Sequence, residues 1–214
     1  MKGDKNYCVI IGDLVASKKL PERGKVQKQL QKIIAKINYK FPGYFISPFT
    51  ITRGDEIAAL PKDISFVPEI VSIIEREMSP LKVRFGVGLG KITTLLYKDA
   101  AAVDGPAFYQ ASDSLGKAKK ENVTIVFNTE KPVLDTLINA LESLLYLIKD
   151  SWTEQQRKIA LFYSQYENQR EVAKKMDISQ PAVTKTLKSI SYKKVKQAEE
   201  AVDYLLEDFP KSSI

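Results

Sequence analysis

Two aspartates stand where this sequence is best placed to do chemistry. Asp13 ends the apolar run Val9-Ile10-Ile11-Gly12, within Val9-Ile10-Ile11-Gly12-Asp13-Leu14-Val15-Ala16-Ser17. Asp55 follows a second strand-like run, within Phe49-Thr50-Ile51-Thr52-Arg53-Gly54-Asp55-Glu56-Ile57. If the two strands are neighbours, the carboxylates come close and repel. A divalent cation relieves that repulsion, and Mg2+ or Mn2+ held by Asp13 and Asp55, with Glu56 in support, organises a triphosphate. On the plainer alternative both aspartates sit in ordinary turns. Arg53 and Gly54 in the same turn are candidates to approach phosphate.

Residues missing from the chain narrow the chemistry further. There is no histidine and one cysteine, Cys8. Ser-His-Asp and Cys-His catalysis and His-ligated metals are excluded, as is an intrachain disulfide. Catalysis, if any, uses carboxylates, Lys, Tyr, Ser/Thr or an oxygen-bound metal. The hydrophobic share of 44% supports a real core. No apolar run has the length of a membrane span, and Met1 to Asn6 leads straight into a strand rather than a signal-peptide apolar region. The expectation is a soluble cytoplasmic protein with no membrane partner. A net charge of +7 favours anionic partners. It is unevenly spread: Thr153 to Gln197 holds ten Lys/Arg against four Asp/Glu, and the residues after it are acidic.

The elements that must position the aspartates can be read from periodicity. Residues 7–12 predict a buried strand, and Pro21 suits the first turn of a helix in which Val26, Leu30, Ile33, Ile34 and Ile37 recur at helical spacing. Residues 44–52 and 56–60 predict a hairpin around Arg53-Gly54-Asp55. A helix over 66–78, a glycine-rich strand over 82–90, a helix over 105–119 and a strand over 123–127 follow. The order β-α-β-β-α-β, then α-β, is the split βαβ arrangement of ferredoxin-like palms, which puts the first strand beside the central hairpin. Gly86, Gly88 and Gly90 leave one strand face bare, for a ligand or for a packed helix. Residues 132–149 predict a helix with Leu134, Leu137, Ile138, Leu141, Leu144, Leu145 and Ile148 at 3-4 spacing. Two readings of it stand: a linker packed on its own domain, or a seam joining two protomers.

The segment 153–190 has the pattern of a helix-turn-helix. Thr153 caps a first helix, Gln169 to Met176 forms a second, and Ser179 with Pro181 opens a third after the turn Asp177-Ile178. Val172, Ala173, Met176, Ile178, Val183 and Leu187 are its apolar skeleton. Gln180, Thr184, Lys185 and Lys188 are left outward for base edges and phosphates of double-stranded DNA, with Arg170, Lys174 and Lys193 to Lys196 for its backbone. A generic helical subdomain with a solvated basic face is the bland alternative.

The N-terminal half resembles the class III nucleotide cyclase and GGDEF superfamily through Ile11-Gly12-Asp13-Leu14-Val15-Ala16-Ser17, Arg53-Gly54-Asp55-Glu56, Gly86-Val87-Gly88-Leu89-Gly90 and Asp104-Gly105-Pro106-Ala107-Phe108-Tyr109-Gln110-Ala111. The resemblance implies that Asp13 and Asp55 are metal ligands. In active cyclases the late helix carries an Asn for the ribose and an Arg for the phosphates. Those positions fall near Tyr109 and Ser112-Asp113, and Lys117, Lys119 and Lys120 are the basic residues that could substitute. Over nearly the whole chain the match is to the SatD family, in which these motifs occur together with a C-terminal helix-turn-helix.

The expected fold class is therefore α+β: a ferredoxin-like, nucleotidyl cyclase-like palm over residues 1–130, a linker or dimerisation helix over 131–151, and an all-α helix-turn-helix domain over 152–214. The expected function is a homodimeric, DNA-binding regulator whose palm senses a nucleotide-type ligand through Mg2+ or Mn2+. The alternative is a metal-dependent nucleotidyl cyclase or nucleotidyltransferase, with Asp13, Asp55 and Glu56 as its catalytic candidates. A third reading is an adaptor that binds an acidic protein.

Overall fold

The computed structural model describes residues 5–16, 22–207 and 209, and only the backbone of Arg53. Ser17 and Pro21, singled out above, lie outside the described residues. The strands are β1 (Tyr7–Leu14), β2 (Phe45–Arg53), β3 (Glu56–Pro61), β4 (Val83–Gly90) and β5 (Ile125–Asn128). The helices are α1 (Arg23–Lys40), α2 (Val67–Met78), α3 (Pro106–Glu121), α4 (Pro132–Asp150), α5 (Glu154–Tyr166), α6 (Gln169–Met176), α7 (Gln180–Ser189) and α8 (Tyr192–Glu207). Short 3-10 turns at Ile64–Phe66 and Ala100–Ala102, and the helix α8, have no counterpart among the sequence-based expectations.

The five strands form one mixed sheet in the order β2-β3-β1-β4-β5. The first four are antiparallel neighbours, and β5 joins β4 in parallel through α3. β1 thus lies between β3 and β4, beside the central hairpin. Its Val9, Ile10 and Ile11 alternate between the two sheet faces, and all three are buried. On one face Val9, Ile11, Ala58 and Leu60 form a cluster with Ala107, Ala111 and Leu115 of α3. Elsewhere α1 buries Leu30, Ile33, Ile34 and Ile37 and packs against β2 and α2, while α2 packs against β4.

The bare face of β4 is covered by a helix, which decides between the two uses foreseen for its glycines. A Cβ on Gly88 would stand under 3.0 Å from the Ala107 carbonyl oxygen and the Ala111 nitrogen, both α3 backbone atoms. Gly86 meets α3 in the same way at Ala111 and Leu115. The glycines let α3 lie directly on the sheet, and that contact sets where the residues of α3 stand relative to Asp13.

Both edges of the sheet are held by an asparagine from a helix. Asn38 of α1 donates to the Phe49 carbonyl of β2 at 2.9 Å and accepts from the Phe49 N–H at 3.0 Å. Asn139 of α4 does the same to Phe127 of β5, at 2.8 Å in each direction. An edge strand exposes unpaired N–H and C=O groups that invite other chains to pair, and each amide satisfies one donor and one acceptor there.

The chain divides into two compact units: the described residues of Met1–Glu142 and Asp203–Ile214, and Ser143–Val202. The second is helical. Ile159, Ala160, Val172, Ala173, Val183, Leu187 and Ile190 form its core, with Phe162, Met176 and Ile178 packed against it. Its helix starts are strongly marked. Thr153 and Gln156 form a reciprocal capping box, Asn168 accepts from the Arg170 and Glu171 amides, and Ser179 accepts from the Ala182 amide. Asp177 ends α6 in the left-handed conformation.

Candidate functional site

At one end of the sheet the acidic residues meet. Asp13, near the end of β1, lies opposite Glu56 of β3 and opposite Arg84 of β4. Asp55 occupies the turn immediately before Glu56. Gly54 makes that turn with φ of 63°, a left-handed conformation, and the Arg23 guanidinium lies 3.4 Å from where a Cβ would be. The Gly54 carbonyl accepts from Gln27 of α1 at 3.2 Å. The first two turns of α1, through Arg23 and Gln27, therefore clamp the hairpin.

Each aspartate has its own counter-cation. The Asp13 carboxylate pairs with the ammonium of Lys119, in the last turn of α3. Asp55, nearly buried, pairs with Arg23 at 3.3 Å. Glu56 accepts a 2.8 Å hydrogen bond from the Thr52 hydroxyl. Arg84, though across the strand from Asp13, donates to the Asn122 side chain instead. Lys117 is exposed on α3. It is Lys119, two positions on, that reaches the carboxylate. Arg53 sits at the end of β2, and its side chain is outside the described residues.

Beside Glu56 lies a cavity of about 310 Å³. Ile11 and Thr52 form part of its sheet side, and Phe108, Tyr109 and Ser112 of α3 line it too. The Tyr109 hydroxyl donates to Asp104 at 3.2 Å, and this hydrogen bond to a carboxylate raises the phenol pKa above its ordinary value.

These residues suit a hard divalent cation by chemistry. All the donors are carboxylate oxygens, and Mg2+ is commonly held by one or two carboxylates with water and substrate phosphates completing its shell. Among the described residues no group of three or more His, Cys, Asp or Glu converges as a closed metal cage. The protein's own contribution is thus at most partial coordination, and it faces competition from Lys119 and Arg23. Sequence reasoning missed Arg23 and Gln27, because nothing in the local pattern of an exposed helix start says which loop it will touch.

A second constellation lies on α7, within the helical unit. Val183 and Leu187 are buried, while Gln180, Lys185 and Lys188 are exposed around an open recess of about 430 Å³ that Pro181 and Thr184 also line. Arg170 and Lys174 are exposed on α6. The Thr184 hydroxyl is half-buried and donates to the Gln169 side chain at 2.5 Å, which also accepts from Gln180 at 3.2 Å. Gln169, another residue that sequence reasoning passed over, therefore holds two of the outward residues in place.

Among the described residues, no helix is long and apolar enough to cross a membrane. Several solved structures are similar to the chain. A bacterial light-regulated adenylyl cyclase aligns at 17% identity over 58% of this chain and 76% of its own, with a TM-score of 0.43. The catalytic core of a rhodopsin-guanylyl cyclase with converted specificity, in complex with ATPαS, aligns at 16% identity over 53% and 72%, with a TM-score of 0.38. A regulator of polyketide synthase expression from Bifidobacterium adolescentis aligns at 14% identity over 97% and 88%, with a TM-score of 0.25. No curated protein matches. The SatD family model matches residues 7–206, almost the full length, and the chain belongs to the SatD family.

Proposed function

We propose that this chain is a homodimeric DNA-binding regulator whose sheet-bearing unit binds a nucleotide-type ligand through Mg2+ or Mn2+ at Asp13 and Asp55. The observation that carries the DNA reading is the two-sidedness of α7. Its inner side is locked to the helical core by Val183 and Leu187, and its outer side presents Gln180, Lys185 and Lys188. With α6 and the turn at Asp177 this is a helix-turn-helix, and α7 is its recognition helix. Gln180 and Thr184, oriented by Gln169, are suited to base edges. Lys185 and Lys188, with Arg170 and Lys174, are suited to phosphates. Selection from randomised duplex DNA followed by fluorescence anisotropy tests this. Enrichment of a sequence bound in the nanomolar range is expected, and salt-insensitive or absent binding to all duplexes would overturn it.

A second reading, a nucleotidyl cyclase or nucleotidyltransferase, is favoured by one observation: Glu56 lines the cavity, with Asp55 next to it in the chain and Asp13 opposite it across the strands. In that reading Asp13 and Asp55 hold the metal, Glu56 stands next to them, and Phe108 and Tyr109 bound the space for the ligand. The metal, when bound, neutralises phosphate charge and activates a hydroxyl. Incubation with ATP or GTP and Mg2+ or Mn2+ tests it. Product that disappears with Asp55→Asn supports turnover, and no product under any condition removes the enzyme reading. For either reading, calorimetry with nucleotides and Mg2+ is expected to show binding that Asp13→Asn and Asp55→Asn abolish.

A further inference from the structure

We propose that Lys119 and Arg23 are built-in counter-cations, which a divalent metal displaces from Asp13 and Asp55 and which then turn to the anionic phosphates of the ligand. This rests on the metal reading given above. The observation behind it is that both candidate ligands are already neutralised, by different helices. Lys119 comes from the last turn of α3 and Arg23 from the first residue of α1. The two cations are the solvent-side members of their pairs. Their side chains are 44% and 46% exposed, against 22% and 12% for the carboxylates. An ion arriving from solvent meets them first.

A carboxylate oxygen shared with an ammonium or a guanidinium offers less to a dication, and a dication a few ångströms from either is repelled. Metal binding and the two ion pairs therefore compete. The exchange has somewhere to go. Arg23 sits at the positive end of α1, whose first turn holds no acidic residue. Glu22, the cap residue of α1, is paired with Lys25 at 2.5 Å, so once Asp55 has turned to metal the Arg23 guanidinium is left without its carboxylate. A phosphate group takes its place, in the fork geometry an arginine favours. Lys119 released from Asp13 offers three further donors. The same two residues thus weaken metal binding when the site is empty and strengthen phosphate binding when it is loaded.

Mn2+ affinity of the full chain, read from the free-ion electron paramagnetic resonance signal, tests the first half. Lys119→Met and Arg23→Met are each expected to bind Mn2+ about tenfold more tightly than the unaltered protein. Inorganic triphosphate at saturating Mn2+ tests the second half, and each variant is expected to bind it about tenfold more weakly. In the unaltered protein, the Lys119 side-chain ammonium resonance is expected to move on saturation with Mg2+, a readout that needs no substitution. Unchanged or weaker Mn2+ binding in both variants, with Asp13→Asn and Asp55→Asn still abolishing it, overturns the exchange and leaves the metal reading standing. Tighter Mn2+ binding with unchanged triphosphate binding overturns the phosphate half. No Mn2+ binding by any form overturns the metal reading and this inference with it.

Discussion

Asp13 has a glutamate across one strand and an arginine across the other, yet its carboxylate pairs with neither. Like charges directly opposite in a ladder repel, and Lys119 offsets the Asp13–Glu56 pair from the neighbouring helix. Cys8, five residues earlier on the same strand, shows the other way a strand treats an ionisable group. It is fully buried, and burial, with Asp63 nearby, pushes its thiol far above the ordinary value of 9.0. Above that value the unfolded chain gives up the thiol proton while the folded chain keeps it. Stability is therefore intact below about pH 9 and falls as pH rises beyond it, by about 1.4 kcal/mol per pH unit from this group. Urea unfolding from pH 8 to 10.5 is expected to show that slope, and Cys8→Ala to flatten it relative to the unaltered protein. A wild-type slope equal to that of Cys8→Ala would count against the assignment.

Among the elements, the α3–β4 contact is the one that the site cannot do without. Gly88→Ala places a methyl group into α3 backbone, and overpacking of this kind is expected to cost about 3 kcal/mol or more, measured by urea denaturation. The helix-borne asparagines make a second element-scale prediction. Asn139→Ala leaves a donor and an acceptor of Phe127 without their partner, at an expected cost of about 2 kcal/mol, and it uncovers the β5 edge. Faster aggregation than the parent at equal unfolded fraction is the expected sign of the uncovered edge. α4 carries a further surface. The sequence pattern had put seven apolar residues into one stripe. The structure separates them: Ile138 and Leu145 are buried, while Leu137, Leu144 and Ile148 are exposed, together with Val133 and Leu147, which the stripe did not include. The exposed set has near-heptad spacing, which suits a second copy of the same helix. Sedimentation equilibrium is expected to show a dimer, and Leu137→Lys with Leu144→Lys to shift it to monomer.

For the molecule as a whole, the DNA reading proposed above together with the excess of positive charge predicts an affinity that depends on salt. Each phosphate contact adds about 0.9 to the slope of log affinity against log salt. Lys185→Ala and Lys188→Ala are each expected to lower that slope by about 1, with equal losses on specific and unrelated duplexes, whereas Gln180→Ala is expected to lose the specific duplex selectively. If the proposed nucleotide and DNA sites communicate, the effect must be reciprocal. A ligand that changes DNA affinity by some factor has its own affinity changed by that factor when DNA is bound. Calorimetry of the ligand with and without the selected duplex measures it, and equal affinities would show two independent functions in one chain.

What this sequence determined by itself is local in origin. Helical spacing, strand runs, the caps at Thr153 and Ser179, and the order of elements follow from interactions within a few residues, and they were legible in the sequence. So was the placing of Asp13 beside the hairpin, since the split βαβ order leaves few topologies. The partners of the carboxylates were not legible. Lys119 lies more than a hundred residues from Asp13, and Arg23 is about thirty from Asp55. Whether an exposed lysine or arginine reaches one carboxylate or another depends on where α3 and α1 come to rest on the sheet. Gly86 and Gly88 decide that for α3 by letting backbone meet backbone. The hairpin turn at Gly54, which Gln27 and Arg23 clasp, decides it for α1. The same holds for Gln169, whose hold on Gln180 and Thr184 exists only once α6 and α7 have packed. Charge type and spacing can be read along a chain, but the pairing of charges is a property of packed surfaces.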